Sequence, residues 1–281
     1  MPARSSATQL LSSNRFNVLR VANPKVIDSV GIFGADPNSA NLWVALSLTN
    51  YQNTATGGAL VDLAPQIRGN TAGQTAGTAK TYNAGTGTQS TASPIAPFAQ
   101  YTSAFAFPSS YGSTNDLTYT STALGSNQVM TFECRIFVPS GSGSGTLIQT
   151  NNFSGGFYNS WVFYVNTSSQ LAYFSNYGST TGTVTSSGTV TRNAWNHVAM
   201  VVDGSTNMKM FINGTRVYNA GYGQNASGAG PTTIGPSYWD GYGSAAGYKM
   251  VDYRIYTGIQ KYTTDFTVSD TNVAFGGAIL V

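Results

Sequence analysis

The sequence predicts an all-β chain folded as a two-sheet antiparallel jelly-roll sandwich with an extended N-terminal arm, on three observations. Charged residues make up only 8% of the 281, while Gly (32), Tyr (17) and Phe (14) are abundant, a composition that feeds strands and turns rather than solvated helices. Short apolar runs are bounded by Asn-Gly, Asp-Gly and Ser/Thr-rich stretches, which punctuate hairpins. No ten-residue helical pattern separates the strands, which argues against a parallel α/β sheet. The chain divides into an N-terminal attachment arm at residues 1–36, a sandwich domain at 37–268 and an apolar tail at 269–281.

In the arm, Leu10, Leu11, Phe16, Val18, Leu19 and Val21 are scattered among Ser, Asn and Arg with no period of 2 or 3.6. Arg4, Arg15, Arg20 and Lys25 all precede the first acid, Asp28. The charges read most simply as a solvated tail, but the apolar residues need a partner surface. Arg4, Arg15, Phe16, Arg20 and Lys25 are therefore the candidate attachment residues.

Residues 42–48 (LWVALSL) read as a buried first strand, 117–119 (LTY) as a short edge strand and 129–139 (VMTFECRIFVP) as a long strand. A flexible GSGSG connector at 141–145 leads to a strand at 147–149. Residues 161–165 (WVFYV) and 171–174 (LAYF) form a hairpin around a five-residue polar loop. The centre of the domain is 195–217 (WNHVAMVVDGSTNMKMFINGTRV). Trp195, His197, Ala199 and Val201 alternate with Asn196, Val198, Met200 and Val202, so both faces are mainly apolar and the strand is expected to be buried on both sides. Asp203-Gly204 opens a short loop, and Asn213-Gly214 supplies the two positive-φ corners of a tight hairpin turn. A long Gly-, Tyr- and Trp-rich loop at 221–247 is interrupted by a short strand at 233–234, and the apolar end AFGGAILV (274–281) should pack on something.

The pattern Trp195, His197, Val198, Ala199, Asp203, Gly204, Asn213 and Gly214, continuing through Ile234-Gly235 to Asp252-Tyr253-Arg254-Ile255-Tyr256, resembles the laminin-G-like branch of the concanavalin A-like lectin and glucanase sandwiches. Thr131, Phe132 and Glu133 match that family's strand, which departs where many members carry Trp and this chain has Arg135. The resemblance implies a domain start near residue 38, with Val61-Asp62-Leu63 and Gly69 in matching places and 104–107 (AFAF) as a returning strand. It keeps the linker-like stretch 69–94 inside the domain and gives Asp252 the role of bracing the closing strand. Residues 256–266 (YTGIQKYTTDF) are similar to the ending of many copies carried by tailed-phage virion proteins.

The chemistry points away from catalysis. A retaining glycosidase needs two carboxyl groups about 5 Å apart, and this chain has one glutamate, Glu133, with no Asp two residues on. His197 is the only histidine and has no Asp or Ser partner at a recognisable spacing, so packing is its expected role. Cys134, the only cysteine, lies within a strand and is expected to be a buried, inert thiol without a disulfide. Asp240 is the best calcium candidate, but one carboxylate beside Gly241 reads as a turn former, and no metal or cofactor is assigned. Tyr222, Tyr238, Trp239, Asp240 and Tyr242 share the long loop and are the candidate ligand-binding residues, through ring stacking on a glycan or as a subunit contact.

A net charge of +3, dispersed along the chain, gives no basic face for nucleic acid, and no apolar run spans a membrane. The first residues, MPARSSATQLLSSNRF, lack the apolar core of a secretory signal, which predicts assembly in a host cytoplasm. The expectation is a non-enzymatic virion surface protein of a tailed bacteriophage, a capsid decoration or a tail or fibre component. Its expected partners are other virion proteins and further copies of itself. The alternative is a carbohydrate-binding adhesin or lectin that recognises host-surface glycans.

Overall fold

The computed structural model describes residues 26–27, 36–46, 64, 82–83, 88–90, 104–106, 117–119, 128–150, 160–177, 180–222, 232–234, 247–268 and 279–280. In chain order the strands are β1 (Val26–Ile27), β2 (Leu42–Leu46), β3 (Tyr82–Asn83), β4 (Thr88–Ser90), β5 (Ala104–Ala106) and β6 (Leu117–Tyr119). Then follow β7 (Val129–Phe137), β8 (Gly145–Thr150), β9 (Ser160–Val165), β10 (Gln170–Tyr177), β11 (Thr180–Thr189) and β12 (Trp195–Asp203). The last are β13 (Asn207–Ile212), β14 (Thr215–Gly221), β15 (Thr232–Ile234), β16 (Lys249–Thr257) and β17 (Ile279–Leu280).

Two antiparallel sheets face each other, as the fold class predicts. One has seven strands in the order β11-β10-β9-β8-β15-β6-β3. The other has eight, in the order β14-β13-β12-β7-β16-β5-β4 with β2 also on β16. Period-2 alternation sends Phe132, Cys134 and Ile136 of β7, Val198, Met200 and Val202 of β12, and Tyr253 and Ile255 of β16 into the space between the sheets. There they meet Leu147, Ile148, Phe163 and Tyr173 of the opposite sheet. Phe132 sits edge-on to Phe163 at 5.8 Å and to Tyr253 at 5.1 Å, the geometry aromatic quadrupoles prefer. Cys134 is fully buried, and desolvation pushes its thiol well above the usual range.

The Asn213-Gly214 turn forms as predicted, with φ of 50° and 82°, between β13 and β14. Other expectations change. Leu117–Tyr119 is not an edge, because β6 is flanked by β15 and β3. β11 has no counterpart in the sequence reading, since its Thr/Ser/Gly composition lacks an apolar stripe. Trp195, expected in the core, is half-buried at the start of β12 on the outward face, against Ala104 and Val251. Residues Val26–Ile27 of the arm pair with Ile279–Leu280 of the tail, so that short part of each finds a partner within the chain.

Candidate functional site

The outward face of the eight-stranded sheet gathers the polar residues that alternate with core residues. Across it run cross-strand partners: Ala199 opposite Glu133, Glu133 opposite Arg254, and Arg254 opposite Ala45. His197 lies opposite Arg135 one rung away. A β-bulge between Val251 and Arg254 puts an extra residue into β16, and Asp252 occupies it at φ 58°, a left-handed conformation that Asp tolerates better than most residues. The bulge places Asp252 on the same face as Arg254, whose Nε and Nη2 donate to Asp252 Oδ1 at 2.7 Å and Oδ2 at 2.5 Å. This fork is the brace that the family resemblance implied for Asp252.

Residues 258–268 leave β16 and lie across this face as a strap. Gly258 turns the chain at φ 76°, its N–H donating to Val129 O at 2.7 Å. Thr131 Oγ1 then donates to Ile259 O (3.0 Å) and accepts from Lys261 N (2.9 Å). Farther along, Arg216 N donates to Asp265 Oδ1 at 2.8 Å, and Phe266 N donates to Gly214 O at 3.0 Å. Tyr262 and Phe266 stack on each other at 3.6 Å with planes 6° apart, and both pack against Ala199, Val201 and Phe211. The face therefore acquires its own small apolar cluster, which explains why β12 is buried on both sides.

Beneath the strap, Glu133 is 2% exposed and receives five donors. Its Oε1 accepts from Lys261 Nζ (2.8 Å), Tyr256 OH (3.2 Å) and Arg254 Nη1 (3.3 Å). Its Oε2 accepts from Tyr262 OH (2.5 Å) and His197 Nε2 (3.2 Å). Burial alone would raise its pKa, but the Lys261 ammonium, the His197 hydrogen bond and the Arg254 guanidinium outweigh it and hold the carboxyl well below the usual range. Asp36 joins from far along the chain: its Oδ2 lies 3.2 Å from Lys261 Nζ and shares the single Tyr256 O–H with Glu133 Oε1. Asp36, the last residue of the arm in the sequence reading, is itself buried against this network.

His197 is 7% exposed, and desolvation lowers its pKa despite the opposing pull of Glu133. The ring is thus neutral at pH 7, and the ionised Glu133 fixes the tautomer with the proton on Nε2. Nδ1 is then an acceptor, and it has no hydrogen-bond partner among the described residues. His197 also borders a cleft of about 190 Å³, shared with Arg135, Asp252, Arg254, Phe266 and Thr267.

Both oxygens of Glu133 are thus engaged, and the carboxylate ties β7, β12, β16 and the strap together on this face. Among the described residues no group of three or more His, Cys, Asp or Glu side chains converges to hold a metal ion.

Of the ligand-binding candidates, Tyr222 is fully buried, with its OH donating to Ser205 O at 3.1 Å and its ring edge-on to Tyr173 at 5.5 Å. Burial pushes its phenol up to about 12. It is a core residue and not part of a ligand surface, because the apolar space between the sheets claims its ring. Tyr238, Trp239, Asp240 and Tyr242 lie outside the described residues, as do Arg4, Arg15, Phe16, Arg20 and Lys25. The residues that sequence reasoning missed as a group are Glu133, Arg135, His197, Asp252, Arg254 and Lys261. The available signal was charge at alternate strand positions, Glu133 with Arg135 and Asp252 with Arg254, in a chain that carries so little of it.

Among solved structures, the binding domain of Paraclostridial Mosquitocidal Protein 1 superposes with a TM-score of 0.52 at 12% identity, covering 84% of this chain and 52% of that one. The botulinum neurotoxin serotype G binding domain gives 0.50 at 12% identity, covering 83% and 50%. This chain thus spans about half the length of those structures, and at such identity the likeness is one of fold. No curated protein sequence matches. The laminin-G family model, described as "Concanavalin A-like lectin/glucanases superfamily", matches residues 109–259. That span covers more than half of the sequence and includes β7, β12 and β16, so the chain belongs to the laminin-G-like family of the concanavalin A-like lectin/glucanase superfamily.

Proposed function

We propose that this chain is a non-enzymatic display and recognition module of a tailed-phage particle, a capsid decoration or a tail or fibre component assembled in the host cytoplasm. The observation that carries the non-enzymatic reading is Glu133. The only glutamate of the chain is held ionised, with five donors on its two oxygens, which supports a structural rather than a hydrolytic use of it. Two further points support display and recognition. The strap that locks this face is the segment whose sequence resembles phage virion copies, and the toxin domains that share the fold are named as binding domains. The arm would attach the sandwich to other virion proteins and the sandwich would project outward, as copies associated with one another.

Deleting residues 1–30 should leave a folded protein that no longer joins particles; normal assembly of the truncated chain would move attachment elsewhere. Incubation with β-glucans, alginates and bacterial exopolysaccharides should release no reducing ends above a blank. Turnover that disappears in Glu133→Gln would overturn the non-enzymatic reading.

The second reading is a lectin or adhesin for host-surface glycans, favoured by the cleft at His197 and by the aromatic residues of the long loop. Here wild-type protein should give signal on a glycan array. Loss of that signal in Trp239→Ala, with the fold retained, would assign it to the loop.

A further inference from the structure

We propose that Lys261 and Asp36 become joined by an intramolecular amide bond between Nζ and Cγ, formed by the chain itself with Glu133 as proton acceptor. The step is a single self-modification, independent of display and of recognition.

The two reacting groups are already paired in a site closed to water. Lys261 Nζ stands 3.2 Å from Asp36 Oδ2, and the two side chains are 10% and 2% exposed. Nζ lies 4.2 Å from the centre of the Tyr256 ring and 5.3 Å from that of Tyr262, so aromatic walls hold the cation against the carboxyl group. Groups fixed at such a distance react with effective molarities of about 10⁵ to 10⁸ M, which favours a condensation that is unfavourable between free ions in water.

An amide forms from the neutral amine and the neutral acid, and the surrounding groups supply the proton transfers. Glu133, held ionised, has Oε1 2.8 Å from Lys261 Nζ and takes one proton from it. The Tyr256 hydroxyl touches both carboxylates, 3.2 Å from Glu133 Oε1 and hydrogen-bonded to Asp36 Oδ2, so it relays that proton to Oδ2. Asn38 N donates to the other oxygen, Asp36 Oδ1, at 2.9 Å, where negative charge gathers as Nζ attacks Cγ. The adduct gives a second amine proton to Glu133, which returns it through Tyr256 to Oδ2. The Cγ–Oδ2 bond then breaks and one water leaves. One C–N bond replaces one C–O bond, nothing is oxidised or reduced, and Glu133 and Tyr256 end as they began. An ammonium and a carboxylate are consumed together, so the net charge of the network does not change.

Asp36 ends the arm of the sequence reading and Lys261 belongs to the strap, so the bond closes a covalent loop that contains β2 to β16. Load on the arm would reach the strap through a covalent link in place of an ion pair.

The full chain would be incubated at neutral pH, denatured and measured by intact mass spectrometry beside Lys261→Arg, which keeps the positive charge but has no amine to condense. Wild type is expected to be lighter than its sequence by one water, and Lys261→Arg to show its full sequence mass. Trypsin should leave wild type uncut after Lys261 and release one branched peptide joining residues 26–68 to 255–281. Tyr256→Phe, which removes the relay hydroxyl and keeps the three charged groups, should form the bond about a hundredfold more slowly. Wild type at its full sequence mass and cut normally after Lys261 overturns the proposal, leaving an ion pair only. A loss of water that persists in Lys261→Arg, or a branched peptide linked elsewhere than at Asp36, overturns it too.

Discussion

Lys261 Nζ stands 2.8 Å from Glu133 Oε1, so a residue of the strap neutralises a carboxylate at the centre of the sheet it covers. Both side chains are about nine-tenths buried or more, at 10% and 3% exposed, and each is costly to leave alone in that setting. The strap and the outward face of the sheet are therefore one cooperative unit. Removing either partner should be felt in global stability.

Glu133→Gln leaves Lys261 and Arg254 buried with one counter-charge fewer. The expected loss is about 3 to 5 kcal/mol, the range for breaking a buried pair by deleting one member. Urea unfolding followed by tryptophan fluorescence would read it as a lower midpoint at unchanged slope. An unshifted midpoint would mean that the network is solvated and contributes little.

Tyr262→Phe removes only the hydroxyl that donates to Glu133 Oε2 and keeps the ring stacked on Phe266. A hydrogen bond to a charged group contributes about 1.5 to 3 kcal/mol. The variant should lose that much and retain its near-ultraviolet circular dichroism, since the aromatic packing survives.

Gly214→Ala tests the anchorage of the strap's far end. A Cβ at Gly214 would lie 2.0 Å from Phe266 O, and the residue sits at φ 82°. Left-handed backbone alone costs a non-glycine residue about 1 to 2 kcal/mol, and here the strap must also move away. The expected outcome is faster hydrogen exchange at the Phe266 amide, whose bond to Gly214 O is displaced. Unchanged protection there would show that the strap is held elsewhere.

Acid should loosen the same unit in two stages. The folded pKa of His197 lies below its ordinary value near 6.5, so the unfolded chain takes up the proton first. Stability is full above about pH 6.5 and declines as pH falls toward the folded value, with a slope of at most about 1.4 kcal/mol per pH unit for one group. The folded pKa of Glu133 is also depressed, so its contribution is present above its ordinary value near 4.5 and is lost as pH falls through the folded value. Denaturant midpoints across this range should be flat above neutrality, sloping below about 6.5 and steeper below about 4.5. Because there is one histidine, His197→Gln should flatten the upper stage alone. A profile level down to about pH 5 would show that burial does not perturb His197.

Much of the sandwich was legible along the chain because strand signals are local. Alternation in residues 195–202, the apolar run at 42–46 and the Asn213-Gly214 turn each depend on neighbours a few residues away, and each appears where the sequence puts it. β11 was not legible, since Thr, Ser and Gly mark turns as readily as an edge strand.

The network depended on information that no local pattern carries. Period 2 tells that Glu133 and Arg135 share a face, but not that Lys261, 128 residues on from Glu133, returns over it, or that Asp36 joins Tyr256 from 220 residues away. The sequence by itself determined the strands, the tight turn and the presence of one glutamate and one histidine. Tertiary structure alone decided that the two meet, that five donors converge on the carboxylate, and that Tyr222 is spent on the core. Strand formation follows from backbone geometry and side-chain period, whereas the ionisation and engagement of Glu133 follow from which distant groups the fold brings within hydrogen-bond reach in a site sealed from water.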